Sequence, residues 1–116
     1  MPFINIKYSA EITAEQEDTI KKTLGKAIEI LGKTEDWLMV GFEQNCSLYF
    51  RGEKSEKIAF VEVSLLGDAK LGFYTLFNKE VSLILENVLG VPANEIYVKY
   101  SPVKCWGLGQ NILSVE

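Results

Sequence analysis

Two segments of the chain resemble each other across half its length, and this repeat constrains the fold more than any other feature. Residues 31–42 match residues 89–100, fifty-eight positions further along a chain of 116 residues. Each segment has the pattern of a helix end, a glycine stop, a short turn and a strand. A period this long indicates a repeated supersecondary unit, so we expect two β-α-β halves.

Two amphipathic helices are predicted, one in each half. Thr13 and Gln16 have the spacing of a capping box at the start of the first helix. Gly32 is expected to end that helix in the left-handed conformation, and Gly90 has the same place after the second. Each helix carries one apolar stripe at steps of three and four residues. The stripes are Ile20, Leu24, Ala27, Ile28 and Leu31 in the first helix and Phe77, Val81, Ile84, Leu85 and Val88 in the second.

Strands are predicted where short runs are rich in β-branched and aromatic residues. They cover residues 3–8, 37–42, 47–50, 58–66 and 96–100, with a charged loop at 51–57 and a weakly specified tail that could add a short strand. Two right-handed β-α-β units that share one sheet place both helices on the same face. We therefore expect a single α+β domain over residues 1–116, built on a four-stranded mixed sheet. Apolar side chains on the other face predict an oligomer.

Composition narrows the function classes. A net charge of −4 disfavours a nucleic-acid partner, which needs a surplus of Lys and Arg on one face. The chain has no histidine, the commonest metal ligand and general base. Cys46 and Cys105 lack the spacing of a zinc or redox pair. We expect no metal and no cofactor. Because no signal peptide or membrane-spanning stretch is visible, we expect a cytoplasmic protein without membrane contact.

Four segments, in this order and spacing, resemble the macrophage migration inhibitory factor family of the tautomerase superfamily. They are MPFINI at the start, Leu31-Gly32-Lys33, residues 58–67, and GVPANEIYV before the last predicted strand. The resemblance covers nearly the whole chain. It implies a homotrimer whose sheets surround a barrel-like core, with active sites at the subunit boundaries. The implied reaction is cofactor-independent keto–enol tautomerisation of small aromatic α-keto acids such as phenylpyruvate, or of dopachrome derivatives.

The resemblance assigns the general base to Pro2, once Met1 has been removed. An α-amino group titrates near ~8, and burial and nearby cations lower its pKa, so the amine can be neutral at working pH. Lys33 is expected to attract the substrate carboxylate, and the backbone N–H of Leu66 to contact the substrate. The alternatives are that Pro2 only begins an edge strand and that Lys33 only follows a helix C-terminus.

The remaining predicted site residues are aromatic or cationic. Tyr97 matches a tyrosine that reaches into the neighbouring subunit's site, and Lys99 stands where the human-type pattern has an asparagine. A lysine there would hold a carboxylate or stabilise an enolate more strongly than an amide, or it could abolish the usual hydrogen-bond geometry. Trp37, Phe3 and Trp106 match the apolar walls of the pocket, which would suit an aromatic substrate. As isolated residues, these three could equally belong to the core.

Two other functions stay open. Relatives include signalling factors that are secreted without a signal peptide, so the chain could be a receptor-binding protein with little or no physiological catalysis. Other superfamily members decarboxylate or dehalogenate their substrates with an arginine and a carboxylate. Arg51 is the only arginine, and its place in the predicted charged loop disfavours that chemistry.

Overall fold

The computed structural model describes residues 1–115, which contain eight strands and two α-helices. In chain order these are β1 (Pro2–Tyr8), α1 (Ala14–Ala27), β2 (Met39–Glu43), β3 (Tyr49–Phe50), β4 (Glu53–Lys54), β5 (Ala59–Leu66), α2 (Leu71–Leu89), β6 (Ile96–Val103), β7 (Cys105–Leu108) and β8 (Asn111–Ser114). Short 3₁₀ turns cover Ile28–Leu31, Glu35–Trp37 and Ala93–Glu95.

The main sheet has the strand order β2-β1-β5-β6. Strand β1 runs parallel to β2, and β5 runs parallel to β6. The helices provide the long crossovers that parallel strands need. The central strands β1 and β5 are antiparallel, so two β-α-β units meet in the middle of one mixed sheet. The predicted repeat and fold class are confirmed. Two hairpins, β3–β4 and β7–β8, form separate two-stranded sheets.

The helix ends follow the predicted signals with one difference. The N–H of Gln16 donates to the Thr13 hydroxyl at 3.1 Å, and the N–H of Thr13 donates to the Gln16 side chain at 2.9 Å, which completes the capping box. Gly32 and Gly90 both adopt the left-handed conformation, with φ of 74° and 72°. The difference is that α1 ends at Ala27 and continues as the Ile28–Leu31 turn, a common tightening of a helix's last turn.

The strands differ from the predicted ones at several places. Strand β2 begins at Met39, because Trp37 belongs to the Glu35–Trp37 turn. The charged loop contains β4, which pairs with β3. Strand β6 continues past residue 100 to Val103 and includes Pro102. A proline is tolerated there because β6 is an edge strand, where a missing N–H removes no ladder bond. The tail forms the β7–β8 hairpin rather than one short strand.

The core lies between the helices and one face of the sheet. Alternate residues of β1 and β5 are buried against both helices, as the period of two predicts. The fully buried side chains include Ile4, Ile6, Val61, Val63, Ile20, Leu24, Phe77 and Val81. No helix in the described part of the chain has the length and apolar character needed to cross a membrane.

We call the side of the sheet away from the helices the open face. It carries polar pairs: Lys7 lies 3.5 Å from Glu62, and the Asn5 amide donates to Glu43 at 2.7 Å. Apolar side chains lie among them, with Phe3 and Phe60 half-buried on the central strands. On the edge strands, Met39 is 67% exposed and Tyr97 62% exposed. The open face therefore mixes polar and apolar side chains.

Candidate active site

Pro2 begins β1, and its side chain is buried on the helix-covered side of the sheet. Its register partner is Leu65 of the antiparallel neighbour β5. Proline is compatible with the first position of a strand because no N–H is required there. The sheet thereby fixes the Pro2 ring at one end of the central strand pair.

Backbone groups of Leu66 connect the N-terminus to Lys33. The Leu66 N–H donates to the Met1 carbonyl at 3.2 Å, and the Leu66 carbonyl accepts from Lys33 Nζ at 2.8 Å. Lys33 reaches this point because it follows the left-handed Gly32 at the end of the first helical segment. Pro2, Lys33 and Leu66, predicted together from the sequence, therefore lie at one place in the structure.

The amine at this end of the chain is in an environment that disfavours its charged form. The pKa of the Met1 amine is lowered from its ordinary value of 8.0, first by burial and second by the positive charge of Lys33. Both causes act in the same direction because each penalises a cation. While Met1 is present, its carbonyl also occupies the Leu66 N–H.

A cavity of about 310 Å³ opens where β5 and β6 end, and its wall begins at Gly67, the residue after Leu66. Gly67 turns the chain out of β5 with φ of 84°, and its N–H donates to the Val103 carbonyl at 2.8 Å. A Cβ at Gly67 would lie 4.0 Å from Lys33 Nζ, so the lysine is next to the cavity wall. The cavity is lined by Gly67, Asp68, Pro102, Val103, Lys104 and Val115.

A polar network behind this cavity contains residues that sequence reasoning missed. The Tyr74 hydroxyl and the Ala69 N–H both donate to Asp68 Oδ1, at 2.6 and 2.7 Å. These bonds, with that from Tyr74 the stronger, lower the pKa of Asp68. Burial, and then the Asp68 carboxylate, raises the pKa of Tyr74 to about 12. The network fixes the turn that follows Leu66. The sequence signal at this point, Gly67-Asp68, indicated only the end of a strand.

Tyr97 and Lys99 are not part of this cluster within one chain. Both are exposed on the open face. Tyr97 lies in the same row as Lys7, since each pairs with Phe60 of β5. Lys7 is five residues after Pro2, so at ~3.3 Å per residue the two rows are roughly 17 Å apart. Lys99 pairs with Glu62 and lies two residues closer to the Pro2 end of the sheet than Tyr97.

The predicted apolar wall residues are spread around the same end of the sheet as Pro2. Phe3 is half-buried on the open face and pairs with Met39. Trp37, 58% exposed, precedes that strand. Trp106 is half-buried in the β7–β8 hairpin opposite Leu113. The hairpin is tied at its base by the Val115 N–H, which donates to the Lys104 carbonyl at 2.9 Å.

Residues 1–115 contain no group of three or more Cys, Asp or Glu side chains placed to hold a metal ion. The polar groups at the candidate site are the terminal amine, the Lys33 ammonium and backbone N–H and C=O groups, and the cavity wall adds the Lys104 ammonium and the Asp68 carboxylate. Such groups can bind an anion and move a proton.

Comparison with known proteins supports the fold. No protein-family model matches the sequence, and no curated protein matches it significantly. Among solved structures, the chain is similar to a macrophage migration inhibitory factor of Leishmania major (TM-score 0.91, 24% identity, 97% of each chain). It is also similar to that of Toxoplasma gondii (0.86, 27%, covering 96% of this chain and 99% of that one). A homologue from Prochlorococcus marinus matches with a TM-score of 0.83 and 26% identity, covering 95% of this chain and 97% of that one. A fused 4-OT trimer matches at 0.81 with 11% identity over 94% of each chain.

Proposed function

We propose that this chain, which has the fold of the macrophage migration inhibitory factor proteins and of tautomerase-superfamily members, is a cofactor-independent keto–enol tautomerase. The observation that carries the proposal is the meeting of the buried Pro2, the Lys33 ammonium and the Leu66 backbone at one end of the sheet. Gly67, the next residue after Leu66, lines a cavity at that end. We expect the substrate to be a small aromatic α-keto acid of the phenylpyruvate type.

Pro2 is the proposed base after Met1 has been removed. Burial and Lys33, which lower the pKa of the Met1 amine, would then act on a secondary amine at the adjacent position. The neutral nitrogen takes a proton from the carbon next to the keto group. The electron pair of that C–H bond forms the carbon–carbon double bond, and the π pair of the carbonyl moves to its oxygen. The oxygen takes a proton from water or from the protonated Pro2 amine to give the enol. The reverse sequence regenerates the ketone.

Lys33 and Leu66 are the proposed substrate-binding groups on the same chain. An ammonium next to the cavity favours a carboxylate. Removal of Met1 also removes the carbonyl that the Leu66 N–H bonds at 3.2 Å. The same cleavage thus creates the base and frees a hydrogen-bond donor for the substrate.

A homotrimer is the proposed assembly. Tyr97 lies roughly 17 Å along the sheet from the row of Pro2, and Lys99 lies somewhat closer. Both are on the open face, so one chain does not bring them to Pro2. A second copy that packs against this face would place them in its neighbour's site. Tyr97 would then bind the substrate's polar end, and Lys99 would hold a carboxylate or the enolate. Phe3, Trp37 and Trp106 would form the aromatic walls.

Phenylpyruvate tautomerisation, followed by ultraviolet absorbance, tests the proposal. The variant Pro2→Gly keeps a small residue after Met1, so Met1 is still removed, but it lacks the secondary amine. We expect turnover by the wild type and at least a hundredfold loss in this variant, because general bases contribute about 10²–10⁴-fold. Pro92→Ala, on the turn before Ala93–Glu95, is the matched control and keeps its activity.

Intact mass is measured on each sample, so that Met1 removal is known. If Met1-free wild type and Pro2→Gly are both indistinguishable from buffer, the enzyme proposal is wrong. A folded protein of that kind would favour the receptor-binding alternative.

A further inference from the structure

The turn of the β3–β4 hairpin holds the chain's only arginine in an unusual backbone conformation. Arg51 has φ of 52° and Gly52 has φ of 81°, the pattern of a two-residue type I′ turn. Asn, Asp and Gly are preferred at both positions of this turn. The left-handed region is sterically disfavoured for an arginine, and a residue stays in it where contacts of its surroundings hold it there.

The Arg51 guanidinium connects the hairpin to the start of β6. It donates to the Glu95 carboxylate at 3.1 Å and to the Asn94 carbonyl at 3.0 Å. The same guanidinium lies over the Phe50 ring, 4.2 Å from its centroid, a cation–π contact. We call Arg51, Phe50 and Glu95 the arginine clamp. It ties a two-residue turn to a segment more than forty positions away in the chain.

Tyr97 packs against this clamp. Its ring meets the Phe50 ring edge-on, with centroids 4.8 Å apart and an interplanar angle of 64°, a favourable aromatic geometry. Tyr97 follows Glu95 by two residues, so the clamp holds both its backbone and one side of its ring. A tyrosine that is 62% exposed would otherwise sample several rotamers.

We propose that Arg51 is a positioning residue that fixes the Tyr97 phenol in the orientation it presents to the site of a neighbouring copy. This inference rests on the proposed function, which places Tyr97 in that site. Lysine cannot replace Arg51, because it lacks the planar fork that stacks on Phe50 while donating to two acceptors. Arg51 itself does not contact the substrate, and acts only through Phe50, Glu95 and Tyr97.

The first test follows the Tyr97 ring directly and needs no turnover. The full chain is labelled with 3-fluorotyrosine, and the Tyr97 resonance is assigned by its loss in Tyr97→Phe. We expect this resonance to shift or broaden in both Arg51→Met and Arg51→Lys. It stays in place in Lys54→Met, the matched removal of a cation from the same hairpin, whose ammonium is 6.0 Å from the Tyr49 ring centroid. Circular dichroism verifies that each variant is folded.

The second test is a double-mutant cycle on phenylpyruvate turnover. Arg51→Met is expected to lower kcat/KM about fivefold, since one partly exposed cation–π contact and its hydrogen bonds are lost. In the Tyr97→Phe background the same change has little further effect, because the hydroxyl that it orients is already absent. Arg51→Lys gives no rescue.

Two outcomes overturn the positioning role: a Tyr97 resonance that Arg51→Met leaves unchanged, or equal fold-losses for Arg51→Met with and without the Tyr97 hydroxyl. The absence of Pro2-dependent turnover in the wild type overturns the proposed function instead. The fluorine measurement then still decides whether Arg51 fixes the Tyr97 ring.

Discussion

Replacement of Lys33 by methionine separates two effects of its positive charge. One is to lower the pKa of the terminal amine, and the other is to bind the substrate carboxylate. Lys33 Nζ donates to the Leu66 carbonyl at 2.8 Å, and the Leu66 N–H donates to the Met1 carbonyl at 3.2 Å. With standard backbone dimensions, this path places the ammonium within roughly 12 Å of the Pro2 nitrogen. In low-salt buffer, where screening over this distance is weak, two unit charges repel by about 1.4 kcal/mol at an effective dielectric constant of ~20. That energy corresponds to about a tenfold change in the population of the neutral amine.

The direction of the pKa change follows from the charge of the base, which is a cation when protonated. Lys33 lowers the pKa of the terminal amine, so its removal raises that pKa. Below the amine's pKa, Lys33→Met should have about tenfold less neutral base than the wild type. Above both pKa values the two proteins have the same amount, and this difference vanishes. Loss of substrate carboxylate binding, by contrast, lowers kcat/KM at every pH.

The assay is the pH dependence of kcat/KM for phenylpyruvate, which reports on the free enzyme's base. Lys57→Met is the matched control. Lys57 Nζ also donates to a backbone carbonyl, that of Leu89 at 3.1 Å, but it lies at the other end of β1. We expect the acidic limb of the pH profile of kcat/KM to move to higher pH in Lys33→Met and to stay in place in Lys57→Met. If the limb stays in place in Lys33→Met as well, the electrostatic reasoning is wrong.

Three further predictions concern stability, each measured by urea unfolding. Phe77→Ala empties a fully buried position and should lower the free energy of unfolding by about 3–5 kcal/mol; a loss below about 1 kcal/mol would contradict the core described above. Gly90→Ala places a Cβ at φ of 72°, 3.4 Å from Lys57 Nζ, and should destabilise the protein by about 1 kcal/mol or more. Gly72→Ala, in open space on α2, should instead stabilise it by up to about 1 kcal/mol. Equal effects of the two substitutions would refute the role of backbone conformation. Thr13→Ala removes the capping hydroxyl and should cost about 1 kcal/mol, and no change would show that the cap is dispensable.

The repeat made the fold predictable from sequence. Glycine stops, a capping box and apolar stripes are local signals, and each acts within a few residues of the element that it bounds. The placement of both helices on one face of the sheet follows from the right-handed crossovers, whereas the pairing of β1 with β5 in the middle of the sheet was not predicted. The bounds of β6 were not predictable in this way, since its extension past Pro102 depends on pairing with the end of β5.

The candidate site was predictable only in part. Pro2, Lys33 and Leu66 were predicted from the family resemblance. They lie together because the start of β1, the end of β5 and the end of the first helical segment meet at one edge of the sheet. The contact between Tyr74 and Asp68 depends on side-chain packing that no local pattern encodes. Arg51 illustrates the same limit: its sequence context is a charged loop, while its partners Asn94 and Glu95 are more than forty residues away.

The central claim, that a free Pro2 amine is the catalytic base, is tested most directly by Met1 itself. The wild-type chain is prepared twice, once with methionine aminopeptidase active and once with it inhibited, and intact mass identifies the two forms. With Met1 present, the Pro2 nitrogen is part of a peptide bond and the Leu66 N–H is occupied. We expect the Met1-free form to tautomerise phenylpyruvate and the Met1-bearing form to be inactive. Equal turnover by both forms would contradict the assignment of Pro2 as the base.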